Sequence, residues 1–333
     1  MKERKEKILS VLHGHDEQFV PCFFQDFQLM FVDKMGERPP MGVKEGFDAW
    51  GVHQTATENT GGAFTPTPIY PFVLEDVTEW EDVVQFPDYD SVDWKAEAQK
   101  LEDSGTLDRE NKVQDIFCAN GLFERMHFLM GVENTCISLL TEPEACEALI
   151  EKIADTKIKL IHGALPYYKP DVYTFLDDYA HAQGLFISKD LFRSMFKPHL
   201  KRIVDAVHEE GVLCKLHCCG KMQELAEDYM EIGVDAMDPM QPMNDIVSIQ
   251  KLFDHKIGIM GGLDVTGVID NPSASEEQIR SEVRRCMDTY GPGGGYIMYC
   301  ASTQLRTPGA FDPDGIFGIL LDEYRKHPLS CSM

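Results

Sequence analysis

The 333-residue chain carries 31 Lys and Arg against 56 Asp and Glu, a formal net charge of −25. Such a charge repels a nucleic-acid phosphate backbone and an anionic membrane surface, and it disfavours strongly anionic substrates. With 43% hydrophobic and 26% charged residues there is ample material for a buried core, which excludes disorder as the dominant state; the length fits one large domain or two small ones.

The opening run Met1 to Lys7 followed by Ile8-Leu9-Ser10-Val11-Leu12 lacks the long apolar core and cleavage site of a signal peptide. No stretch approaches the roughly 18 apolar residues of a membrane span. The ten cysteines are therefore expected as reduced thiols in a cytoplasmic protein, most of them small buried hydrophobes.

In chain order, residues 2–13 read as a short amphipathic helix and Val20 to Phe24 as a buried strand ending at Gln25-Asp26. Between about 36 and 110 the pattern loosens: Pro39-Pro40, Pro66, Pro68, Pro71 and Pro87 break any long element. This is expected to be an insertion packed down by Trp50, Trp80 and Trp94 within one domain spanning 1–333, not a separate domain. Strands are then expected at Val113–Phe117, Val172–Leu176, Val212–Leu216, Val234–Met237, Ile257–Met260 and Tyr296–Tyr299. Helices fall between them, the one after Ser188 broken by Pro198. Serial alternation of this kind indicates a parallel α/β sheet, and the number of units favours a closed (β/α)8 TIM barrel.

Catalytic groups of such a barrel come from the carboxyl ends of its strands. Those ends here are Gln25-Asp26, Asn120, Asp177-Asp178-Tyr179, His217-Cys218-Cys219, Asp238, Asp264 and Cys300-Ala301-Ser302. Each Asp taken alone reads equally well as a helix cap or turn former. His217-x-Cys219 is the sharpest signal, because alternation along an extended segment points both side chains one way and Cys218 the other. A third thiolate, best supplied by Cys300, would complete a three-ligand zinc site with one open position. The same residues are compatible with core thiols beside a hydrogen-bonded histidine. Gly291-Pro292-Gly293-Gly294-Gly295 precedes a strand, unlike a phosphate loop, and reads as a tight turn. Met240, in the stretch after a strand, is expected to wall a flat ligand.

From Asp171 to Thr307 the sequence resembles the uroporphyrinogen decarboxylase superfamily. The resemblance is carried by Phe175-Leu176-Asp177-Asp178-Tyr179, Phe196-Lys197-Pro198, Leu216-His217-Cys218-Cys219-Gly220, Gly261-Gly262-Leu263-Asp264-Val265 and Gly291 to Tyr296. It implies an eight-stranded barrel. Decarboxylases of that superfamily grip a polycarboxylate with arginines just after the first strand, and Phe23 to Met30 contains none. The other branch, the cobalamin-dependent methyltransferases, binds zinc through His-x-Cys and a distant Cys. The resemblance therefore implies zinc on His217, Cys219 and Cys300, and a corrinoid carried by a partner protein, since no Asp-x-His-x-x-Gly cradle is present. The expected activity is methyl transfer between that corrinoid and a small molecule, first an aromatic methyl ether. Asp177, Asp178 and Tyr179 are expected to serve catalysis, with Gln25, Asp26, Asp238, Asp264 and Met240 against the substrate. The alternatives are a methylcobamide:thiol methyltransferase, a porphyrinogen-type decarboxylase and a non-catalytic barrel that binds a corrinoid protein.

Overall fold

The computed structural model describes residues 2–14, 19–57, 62–306 and 308–330; Met1 and Thr307, named above, lie outside them, as does one of the ten cysteines, Cys331. The strands are β1 (Phe27–Met30), β2 (Glu45–Phe47), β3 (His53–Ala56), β4 (Phe64–Pro66), β5 (Val113–Cys118), β6 (Val172–Leu176), β7 (Ala180–His181), β8 (Gly184–Leu185), β9 (Leu213–His217), β10 (Ala236–Met240), β11 (Gly258–Gly262) and β12 (Tyr296–Tyr299). A seven-stranded sheet in the order β1-β5-β6-β9-β10-β11-β12 is parallel at every pairing. Helices join its members, among them Pro143–Tyr168 between β5 and β6, Lys197–Glu209 between β6 and β9, and Glu276–Tyr290 between β11 and β12.

Of the expected closed eight-stranded barrel, the structure shows a curled parallel sheet of seven strands. Among the described residues, β1 and β12 are not paired with each other. Along the other edge of β12, among the described residues, the one backbone bridge is a parallel one, Cys22 to Met298, with the Met298 N–H donating to the Pro21 carbonyl at 2.9 Å. Beyond that bridge the chain winds into a helical turn over Phe23–Asp26, held by the Cys22 amide donating to the Asp26 carboxylate at 2.8 Å. The first strand therefore begins at Phe27, not at Val20.

Helix Lys2–Leu12 packs Ile8, Val11 and Leu12 against Val113, Val172, Ala236, Met260 and Ile297 at the amino-terminal half of the sheet. With that end plugged by apolar side chains, a solvent-accessible site is left at the carboxyl ends. Pro198 sits in the first turn of Lys197–Glu209, where its missing N–H breaks no hydrogen bond, and a π turn at Phe192–Phe196 precedes it. The Gly291 to Gly295 run is a turn into β12.

The region expected as a loose insertion contains a small antiparallel sheet, β2-β3-β4, and a helix at Trp94–Asp103. Four buried charges tie it to the body. Arg125 meets Glu37 at 2.5 Å and Asp48 at 2.7 Å, and Lys157 meets Glu37 at 2.6 Å, beside the fully buried Trp50. No helix of the described residues is long and apolar enough to cross a membrane.

Candidate metal centre

Along β9 the side chains alternate: Lys215 and His217 enter the curl, while Cys214, Leu216 and Cys218 join the outer core. The expected pairing of His217 with Cys219 follows from this alternation. Cys219 Sγ lies 3.4 Å from His217 Nε2. Glycine at 220 lets the chain leave immediately afterwards, because its φ is +88° and any Cβ there would meet the His181 carbonyl oxygen at 2.6 Å.

The third member comes from β6. After Leu176 the chain presents two carboxylates with different duties. Asp177 turns back to cap helix Phe123–Met130, accepting from the amides of Leu122 at 2.7 Å, Phe123 at 3.1 Å and Glu124 at 2.8 Å. Burial pushes its carboxyl up to about 6, against the pull of Tyr179 and these amides. The fit is close, since a Cβ on Gly121 would lie 2.5 Å from that of Asp177. Asp178 instead accepts from the Cys219 N–H at 2.6 Å. One ligand atom each from Asp178, His217 and Cys219 lies within 4.8 Å of the others, and this is the one such His/Cys/Asp/Glu group among the described residues.

The donor set suits zinc. A tetrahedral ion about 2.3 Å from sulfur and about 2.0 Å from nitrogen sets those two atoms roughly 3.5 Å apart, close to the observed spacing. Burial, then Asp178, Cys218, Glu124 and Asp238, push the Cys219 thiol well above its ordinary range. A cation between these acids would reverse that balance.

Behind His217 runs a buried polar chain. Thr174 Oγ1 donates to Asp115 Oδ1 at 2.5 Å, Lys215 Nζ lies 2.7 Å from Asp115 Oδ2 and 3.2 Å from Asp238 Oδ2, and Asp238 Oδ1 is 3.1 Å from His217 Nδ1. Burial alone would raise the Asp238 carboxyl, but Lys215 and His217 hold it below the usual carboxylate range.

Above the three donors opens a cavity of about 870 Å³. Phe31, Phe64, Phe72, Phe117 and Phe128 wall it, the second of these from β4 of the small sheet. Its polar groups include Arg38, Asn120, Glu124, His127 and Ser302. The Arg38 guanidinium lies 5.1 Å over the Phe117 ring, whose centroid is 5.8 Å from that of His217. Glu124 is 9% exposed, and its Oε2 is buried without a hydrogen-bond partner. Burial, then Asp178 and Asp177, push its carboxyl well up.

Several residues expected at the site stand elsewhere. Cys300, expected as the third zinc ligand, is not in the group that the structure brings together: Tyr299 lines the cavity, and the next side chain is buried in the hydrophobic core. Asp26 is held by Arg4 at 2.8 Å, and Gln25 accepts from Arg325 at 3.0 Å; neither lines the cavity. Met240 is buried within β10, and Asp264 caps a turn by accepting from Gly267 N at 2.8 Å. Tyr179 is buried against Phe123, Phe192 and Phe196. Asp238 lies behind His217, away from the cavity lining. Sequence reasoning missed Arg38, Phe117, Glu124 and His127. Phe117 and Glu124 flank the strand end at Asn120, which was their one available signal; Arg38 lay in the irregular insertion.

A family model for uroporphyrinogen decarboxylase (URO-D) matches residues 56–302. The chain belongs to the uroporphyrinogen decarboxylase family. Uroporphyrinogen decarboxylases of Shewanella loihica, Sodalis glossinidius and Pseudomonas aeruginosa are 25%, 26% and 25% identical to it over 159, 163 and 162 residues. Those alignments cover 47%, 48% and 48% of this chain and 42%, 43% and 43% of the relatives, so the chain spans less than half the length of the curated relatives it matches. A methyltransferase from Methanosarcina mazei shares the fold with a TM-score of 0.63 at 13% identity, over 96% of this chain and 97% of that one.

Proposed function

We propose that this family member is a zinc-dependent methyltransferase that moves a methyl group between an aromatic methyl ether and the corrinoid of a partner protein. The observation that carries this reading is the nitrogen, sulfur and oxygen donor set of His217, Cys219 and Asp178 at the floor of an aromatic-walled cavity. His217 through Nε2, Cys219 through Sγ and Asp178 through its carboxylate would hold the ion and leave a fourth position for substrate. Bound there, zinc supplies Lewis-acid stabilisation of the heteroatom that the methyl group leaves or joins.

The chain's own residues do the rest. Asp178 fixes the Cys219 backbone through its amide, which sets the thiol beside the imidazole. Phe64, Phe117 and Phe128 offer apolar faces to a flat ring and limit water at the reacting carbon. With no corrinoid cradle in the sequence, the corrinoid arrives on another protein. The charge of the cavity favours this branch over decarboxylation: among its described lining residues Arg38 stands against Glu124 and Asp178, a poor match for a polycarboxylate.

The experiment is metal content by elemental mass spectrometry on protein purified without chelators, followed by methyl transfer from methoxylated aromatics to a reduced corrinoid protein. About one zinc per chain and turnover are expected. Protein without zinc, or zinc-independent decarboxylation of a porphyrinogen, overturns the reading.

A further inference from the structure

Every group in the chain behind His217 has its partners assigned except two atoms, and those two face each other. Asp115 uses one carboxylate oxygen for Thr174 and the other for Lys215. Lys215 is fully enclosed, lies 5.4 Å from the Phe23 ring centroid, and reaches Asp238 through Oδ2. That leaves Asp238 Oδ1, which is buried without a hydrogen-bond partner, and His217 Nδ1, which is in the same state. The two are 3.1 Å apart. The separation lies within hydrogen-bond range, so an imidazole turned to aim Nδ1 at Oδ1 satisfies both atoms, provided that the proton sits on Nδ1. A proton on Nε2 would instead leave two buried acceptors opposed.

We propose that Asp238, held in place by Lys215 and Asp115, is a positioning residue that fixes His217 as the Nδ1–H tautomer, so that its Nε2 lone pair is aimed at the metal position before any ion binds. The inference rests on reading Asp178, His217 and Cys219 as a metal centre. It reassigns Asp238 from substrate contact to control of a ligand. A strand-register reason places it there: Asp238 pairs with His217 across β10 and β9, so the two side chains leave neighbouring strands at one level on one face. Ligand histidines held this way lose about 10–100-fold in metal affinity when the partner is removed.

The test is the 15N spectrum of the His217 ring in the full chain, stripped of metal and held at a pH where the ring is neutral, with His217→Gln to assign its signals. The expected result is a protonated Nδ1 and an unprotonated Nε2. In Asp238→Leu the proton is expected to move to Nε2, and zinc affinity, read by competition with a chromophoric chelator, to fall by about 10–100-fold. Asp238→Asn keeps an acceptor oxygen and is expected to restore the tautomer and most of the affinity. This variant and the wild-type spectrum decide the matter if Asp238→Leu does not fold with Lys215 short of a counter-charge. A wild-type ring protonated on Nε2, or an Asp238→Leu protein with wild-type tautomer and affinity, overturns the proposal. Wild-type protein that binds no zinc overturns the metal reading instead, and the metal-free spectrum separates the two failures.

Discussion

The Arg125 guanidinium, on helix Phe123–Met130, meets the Glu37 carboxylate at 2.5 Å with almost no solvent on either side. Glu37 immediately precedes Arg38, the cavity's cation, so the pair fixes where the small-sheet segment enters the site. Arg125→Met would leave Glu37 sharing Lys157 alone and Asp48 without its cation. The expected loss is about 3–5 kcal/mol, because uncompensated buried charge is costlier than an absent pair. Urea unfolding would read it, and a change under 1 kcal/mol would show that the network is not anchoring the segment.

The two candidate thiols separate cleanly by substitution. Cys219→Ala is expected to abolish stoichiometric zinc, since it removes the one sulfur in the donor set. Cys300→Ala is expected to retain zinc and to cost stability only as a small core truncation, about 1 kcal/mol. Elemental analysis of both variants beside wild type checks this; loss of zinc in the Cys300 variant would return that residue to the metal.

His127 provides a pH signature. Burial, then the nearby Arg125 charge, lower its imidazole to about 4 from an ordinary 6.5. The unfolded chain takes up a proton below about pH 6.5 while the folded one does not. Its contribution to stability is therefore complete above pH 6.5 and is lost as the pH falls towards 4. Wild type is expected to lose about 1–2 kcal/mol more than His127→Leu between pH 7 and 5. Denaturant midpoints at the two pH values give the comparison, and equal losses would refute it.

Glu124 is a carboxyl kept in a place that does not suit it. Its Oε2 has no donor, and two other acids are close enough to raise its carboxyl. Glu124→Met is expected to raise stability by about 1–2 kcal/mol while weakening binding of methoxylated aromatics. Calorimetric melting and ligand titration measure the two effects. A destabilised variant would mean that the carboxyl is structural.

Most elements of the parallel sheet were legible because each is a short, locally apolar-rich run; Val172–Leu176 and Tyr296–Tyr299 fall where the pattern places them. The first strand was not, because what displaces it is a side chain, Asp26 taking the Cys22 amide, and hydropathy carries no record of that. The small sheet escaped notice among prolines, since β2, β3 and β4 are three or four residues long, and the buried Gln54 of β3 is fixed by donating to the Glu37 carbonyl and the Asp48 carboxylate, contacts that hydropathy does not record.

What the sequence determined by itself is the alternation that points His217 and Cys219 the same way, a property of two residues on one extended segment. Which groups meet them was decided only by the tertiary structure. Asp177 and Asp178 are adjacent and chemically equal, yet one caps a helix and the other reaches Cys219. Cys300 is one register step from a side chain that faces the cavity. A strand's period of two makes that step the difference between the site and the outer core, and inter-strand register is set by contacts far apart in the chain.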